Sequence, residues 1–203
     1  GGSAAGIEGD TPLLPAEGLA AALGVEAKIY LKDERRNPTN SFKDRAFAPT
    51  ISLAAEAGAG AVLTASSGNA ATACAHYAAR AGLDCYLLVE EEAPAGKLLE
   101  PRAYGADVVR IPDLFAGSER AFGEFLGAVG DRLDAYVAFA YNPFNPIPLE
   151  GIKTISYEVA EGLGWVVPDV HISATGGGDN LAAQHRGYVE LREAGLTDRV
   201  PRM

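Results

Sequence analysis

The stretch Ala61-Val62-Leu63-Thr64-Ala65-Ser66-Ser67-Gly68-Asn69 decides how the chain is read. Its first five residues are an apolar, partly β-branched run that suits a strand. Two serines, a glycine and an asparagine then supply turn and helix-start chemistry. A helix is expected from Asn69 to Ala81, ended by Gly82, and a second strand from Asp84 to Val89. Strand, turn, helix and strand in that order make a βαβ unit, which calls for parallel pairing.

The same alternation continues on both sides. Upstream, Ala16 to Gly24 reads as a short helix, Ala27 to Leu31 as a strand, and Phe42 to Ala57 as a helix before Gly58. Downstream come a helix from Ala95 to Tyr104, a strand from Asp107 to Ile111, a helix from Ser118 to Val129 and a strand from Tyr136 to Ala140. A proline-rich turn, Asn142 to Pro148, leads to a helix from Gly151 to Gly162, a strand from Val170 to Ala174 and a helix from Asp179 to Ala194. Arg199-Val200 then looks like the approach to another strand. The fold class expected is α/β, a three-layer αβα arrangement with mainly parallel sheets and helices on both faces.

The net charge of -10 argues against nucleic acid and anionic membranes as partners. A hydrophobic share of 48% with 22% charged residues is that of an ordinary soluble globular protein. Cys74 and Cys85 each sit in an apolar run and read as small core residues; their spacing suits neither a metal site nor a disulfide framework. His76, His171 and His185 have no metal-ligand partners at useful spacing, so no metal is expected. Glu90-Glu91-Glu92 reads as a solvated cluster at a strand end. The glycine-rich start, Gly1 to Gly6, lacks the features of a signal peptide, and no apolar run is long enough to span a membrane. A cytoplasmic location is expected.

Three turns carry chemistry. In Asn37-Pro38-Thr39-Asn40-Ser41-Phe42-Lys43-Asp44-Arg45, turn and cap residues place Lys43 in the first turn of a helix. The helix dipole disfavours an ammonium there, and a neutral amine is the form that condenses with aldehydes. Ser66-Ser67-Gly68-Asn69 offers hydroxyls and free N–H groups to a carboxylate or phosphate. Thr175-Gly176-Gly177-Gly178-Asp179-Asn180 joins a strand to a helix and lets backbone amides approach a phosphate closely. Taken singly, each has a plainer reading: a solvated lysine, a serine cap, a glycine-rich turn.

Taken together, Gly9-Asp10-Thr11-Pro12-Leu13, the Lys43 motif, Ser66 to Asn69, Asn142 to Thr154 and Gly176 to Asn180 resemble, in order, the threonine synthase branch of the fold type II (tryptophan synthase beta-like) pyridoxal-phosphate enzymes. The resemblance implies pyridoxal 5'-phosphate as cofactor. It makes Lys43 the catalytic lysine, bound to the cofactor as a Schiff base and carrying protons at the substrate's α and β carbons. Phe42 would pack beside the ring, Asn69 would face its phenolate oxygen, and Gly176, Gly177, Gly178, Asp179 and Asn180 would hold the phosphate. Ser66, Ser67 and Asn142 would anchor an amino-acid substrate.

The resemblance also implies a small α/β domain over 37–147, with 1–36 and 148–203 forming part of a larger phosphate-binding domain. The chain looks truncated relative to the family, whose remaining part would face the pyridine nitrogen. The reaction implied is phosphate elimination from O-phosphohomoserine followed by hydration to threonine, by a homodimer. Three positions depart from the pattern: Asp179 stands where a small residue is usual, Ala70 where a threonine follows the asparagine, and Pro148 where an arginine precedes the next helix. Proline cannot replace an arginine fork. A serine or threonine dehydratase, or another β-replacing enzyme, is the alternative within the class. A non-catalytic cofactor- or phosphate-binding fragment is the alternative outside it.

Overall fold

A computed structural model describes residues 6–140 and 144–203. The chain forms two compact units, Lys43–Gly151 and Ile7–Phe42 with Ile152–Met203. In order, the elements are β1 (Leu13–Pro15), α1 (Glu17–Leu23), β2 (Tyr30–Lys32), α2 (Lys43–Glu56), β3 (Ala61–Ala65), α3 (Asn69–Ala81), β4 (Asp84–Glu90), α4 (Leu99–Ala103), β5 (Asp107–Ile111), α5 (Glu119–Leu133), β6 (Ala135–Val137), α6 (Ile147–Ile152), α7 (Thr154–Gly162) and α8 (Asp179–Glu193).

The Lys43–Gly151 unit is built on a four-stranded parallel sheet of order β5-β4-β3-β6. Every residue of β3 is buried, as a strand covered on both faces must be. Side chains alternate across it. Leu63 and Ala65, with Leu88 of β4, share an apolar cluster with Leu126 of α5. On the other face, Cys85 of β4 meets Cys74 of α3, their sulfurs 3.9 Å apart.

The chain moves outward from β3 to β5 with α3 between, then doubles back through α5 to β6. Reversing direction under right-handed crossovers puts the later helix on the opposite face, as observed. Helix α2 packs on α3 as a further layer, with Ala46, Phe47, Ala48 and Ile51 fully buried.

The Ile7–Phe42 and Ile152–Met203 unit contains an antiparallel ribbon, β1 with β2, pairing Leu13 with Lys32 and Pro15 with Tyr30. Helices α7 and α8 pack together, and the buried Ser156 hydroxyl donates to the Gln184 carbonyl at 2.6 Å. Val170 makes a parallel bridge to Arg202.

Several expectations shift. The strand expected over Ala27 to Leu31 is centred later, at Tyr30–Lys32, and β1 was not foreseen. Val170 to Ala174 is extended chain with one bridge rather than a strand, because among the described residues its strand-like partner is the short approach to Arg202. The single helix expected from Gly151 to Gly162 is two, broken at Lys153. The helix expected from Ala95 to Tyr104 opens with a tight 3-10 turn, Ala95–Leu98, before α4.

Candidate active site

Lys43 is the first residue of α2. Its approach is a tight turn in which the Asn40 N–H donates to the Asn37 carbonyl at 2.9 Å, and Asn40 takes φ 61. That left-handed conformation suits asparagine, whose short polar side chain tolerates it. The Lys43 side chain is half-buried, whereas Asp44 and Arg45 behind it are buried. The Asp44 carboxylate acts electrostatically on the His76 imidazole of α3, which ties the first turn of α2 to the middle of α3. Burial lowers the His76 pKa, and Asp44 opposes that effect.

Ser66, Ser67, Gly68 and Asn69 sit at the carboxyl end of β3, as the motif requires. The Ser66 hydroxyl accepts the Gly68 N–H at 3.1 Å, closing a small turn. Gly68, not a serine, is the cap residue of α3, and it makes no side-chain cap bond. Asn69 is therefore the first residue of α3, and its side chain is exposed. Strand β6 lies beside β3, with Leu63 opposite Val137. Asn142 follows β6 but lies outside the described residues. Phe42, half-buried, falls in the other compact unit, next to the boundary at Lys43.

In that other unit, Gly176, Gly177, Gly178, Asp179 and Asn180 form the turn from the extended segment 170–174 into α8. Gly176 and Gly177 are exposed, and Gly178 caps α8 with φ 99, a conformation that favours glycine. A Cβ built at Gly176 or Gly178 would meet nothing within 4 Å. The turn thus faces open space, with first-turn amides of a 15-residue helix behind it. Asn180 is committed elsewhere. Its Nδ2 donates to the Ser173 hydroxyl at 2.9 Å and the Ala174 carbonyl at 3.1 Å. That leaves its backbone N–H, rather than its side chain, as the group an anion could use.

Sequence reasoning missed Glu158 on α7. Its carboxylate accepts the Asp10 and Thr11 N–H groups at 3.0 and 3.3 Å and pairs with Lys32. The Gly9 N–H donates to the Asn37 side chain at 3.0 Å, whose own amide donates to Glu34. The Gly9 to Leu13 motif is therefore bolted to the segment leading into Lys43. An isolated glutamate in a helical run carries no signal of this. Among the described residues no cluster of three or more His, Cys, Asp or Glu suits a metal ion. No helix among them is long and apolar enough to cross a membrane.

A parallel sheet with a serine-rich turn at its carboxyl edge, and a helix opened by a lysine, define an α/β domain of an enzyme type. Residues 4–201 match the family model described as "Pyridoxal-phosphate dependent enzyme", and the chain belongs to that family, whose cofactor is pyridoxal 5'-phosphate. It is 38% identical over 198 residues to the threonine synthase of Synechocystis sp., covering 97% of this chain and 50% of the relative. Among solved structures, the serine racemase of Dictyostelium discoideum superposes with a TM-score of 0.75 at 27% identity, over 90% of this chain and 57% of that one. A threonine deaminase from T.th. does so with a TM-score of 0.71 at 26% identity, over 92% and 57%. The fold is fold type II, as expected. The chain spans about half the length of the curated relatives it matches.

Proposed function

We propose that this protein is a pyridoxal-phosphate-dependent carbon–oxygen lyase of the threonine synthase type, removing phosphate from O-phosphohomoserine and adding water to give threonine. The observation that supports it most is Lys43 as the first residue of α2. There the helix dipole favours the neutral amine needed to bond an aldehyde and to accept a proton. Bound pyridoxal phosphate supplies an electron sink for carbanion chemistry next to the amino group.

The chain's own residues do the rest. Lys43 Nζ holds the cofactor and, once released, moves protons at the substrate's α and β carbons. Asn69, exposed at the start of α3, hydrogen-bonds the ring oxygen and sets its tilt, and Phe42 packs beside the ring. Backbone donors of Gly176, Gly177, Gly178, Asp179 and Asn180 take the cofactor phosphate; the donor set fits, since amides at an open helix start bind dianions. Ser66, Ser67 and Asn142 hold the substrate's carboxylate. On this reading 37–147 is the small domain, and 1–36 with 148–203 is part of the phosphate-binding domain. A cytoplasmic homodimer is the assembly this reading carries.

Ala70 and Pro148 favour a second reading, a serine or threonine dehydratase, since neither side chain can bind a substrate phosphate. The likeness to a threonine deaminase points the same way. One experiment separates the readings. The purified chain is mixed with pyridoxal phosphate and treated with borohydride, and phosphate and 2-oxoacid release are assayed. A reducible adduct lost in Lys43→Ala, with phosphate release from O-phosphohomoserine, supports the first reading; 2-oxoacid from serine or threonine supports the second. An adduct with neither product marks a binding protein without turnover. An adduct undiminished in Lys43→Ala overturns the lysine assignment.

A further inference from the structure

Gln184 lies one turn beyond Asn180 on α8 and is 2% exposed. Its Nε2 faces three acceptors: the Ser173 hydroxyl at 3.0 Å, the Asn180 carbonyl at 3.1 Å and Asn180 Oδ1 at 2.8 Å. Asn180 Nδ2 donates to the same Ser173 hydroxyl at 2.9 Å. The Gln184 backbone carbonyl accepts from Ser156 on α7. One buried side-chain amide therefore ties the extended segment before the glycine turn to the helix after it, while the backbone carbonyl of the same residue separately joins α8 to α7.

Thr175, Gly176 and Gly177 are exposed, and added side-chain atoms at Gly176 or Gly178 would touch nothing. Glycines leave the backbone many conformations, so the direction of the amides depends on how firmly the two ends of the turn are held. We propose that Gln184 is a positioning residue for the anion turn: it fixes Asn180 and Ser173 so that the amides of Gly176 to Asn180 stay aimed at one phosphate. This rests on the reading that the turn takes the cofactor phosphate. Loss of the amide releases Asn180 Oδ1 from its donor, frees that side chain to compete for the amides, and loosens the first turn of α8.

A general folding role would weaken every ligand alike, whereas a positioning role acts through the phosphate. The test measures binding of pyridoxal phosphate and of pyridoxal, which lacks the phosphate, by visible absorbance. The proteins are the intact chain, Gln184→Met and Ser173→Ala. Losing one or two hydrogen bonds that hold the turn is expected to cut the preference for pyridoxal phosphate over pyridoxal about 10-fold in Gln184→Met and about 3-fold in Ser173→Ala. Pyridoxal affinity should stay within about twofold of the parent, below the effect of one hydrogen bond. An unchanged preference, or equal loss of both ligands, overturns the proposal; if Gln184→Met does not fold, Ser173→Ala decides. Should the parent chain itself show no preference, the phosphate assignment of the turn fails, and the proposal with it.

Discussion

Glu158 and Lys32 form an ion pair of 2.6 Å with side chains 21% and 10% exposed. The same carboxylate receives the Asp10 and Thr11 amides, while Lys32 also donates to the Thr11 carbonyl. A helix, a strand and the N-terminal motif thus meet at one charge. Removing it leaves Lys32 largely buried without its counter-ion and gives two N–H groups a poorer acceptor. Glu158→Gln is expected to destabilise this unit by about 3 kcal/mol. Trp165, the only tryptophan, lies in the same unit and reports the urea transition by fluorescence. A midpoint equal to the parent's would refute the assignment.

Gly151 ends its compact unit where α6 crosses α2. A Cβ there would lie 1.7 Å from the Arg45 carbonyl oxygen and 2.8 Å from its carbon. Those are backbone atoms, so the helices themselves must part. Gly151→Ala is expected to cost more than about 3 kcal/mol, beyond ordinary overpacking. Gly18→Ala is the control. It lies on α1 with nothing within 4 Å, and alanine there should be neutral or stabilising by up to about 1 kcal/mol. Thermal melting of both variants tests the contrast, and similar melting temperatures would contradict it.

What could be read beforehand follows from where the physics is local. Strands β3 and β5 and helix α3 run as expected, because an apolar strand between turn residues, or a helix closed by Gly82 at φ 70, needs little tertiary help. The serine turn and the Lys43 helix start were legible for the same reason. Strand β1 was not: three residues ending in proline have no strand signal, and they pair only because β2 lies alongside. Val170 to Ala174 read as a strand on its apolar pattern, yet pairing needs a neighbour, and among the described residues Arg202 alone provides one. Glu158 and Gln184 were invisible because each acts on residues brought to it by folding; Glu158 reaches back to Asp10 and Thr11 across 148 and 147 positions.

Asn40 sets the angle at which the chain enters the lysine helix. Its φ of 61 lies in the left-handed region, which glycine adopts at no steric cost and β-branched residues adopt badly. Asn40→Gly is expected to remain within about 0.5 kcal/mol of the parent, while Asn40→Val should lose about 1–3 kcal/mol. Urea unfolding of the two variants checks the order. If valine proved as stable as glycine, the turn would not be holding the backbone that precedes Lys43.

Stability is expected to fall with falling pH in two windows, with His76 and His171 setting the upper one. Burial lowers the His171 pKa from its ordinary 6.5, with its side-chain bond to Gln184 acting the other way; its Nδ1 lies 3.0 Å from the Tyr188 hydroxyl. His76 is lowered in the same sense by burial. A base with a depressed folded pKa binds more protons when unfolded, so its contribution is complete above 6.5 and is lost as pH falls toward the folded value. Glu190 belongs to the lower window. Burial alone would raise its pKa, but the Tyr157 hydroxyl, Lys153 and Arg186 outweigh this and hold it below the ordinary 4.5, so its contribution is lost as pH falls below that value. His171→Gln should therefore flatten the fall in urea midpoint between about pH 7 and pH 5.5 while leaving the decline below about pH 4.5 in place. A slope above pH 5.5 as steep as the parent's would mean that His171 does not titrate against folding, and that the neutral ring beside Tyr188 is not what its burial demands.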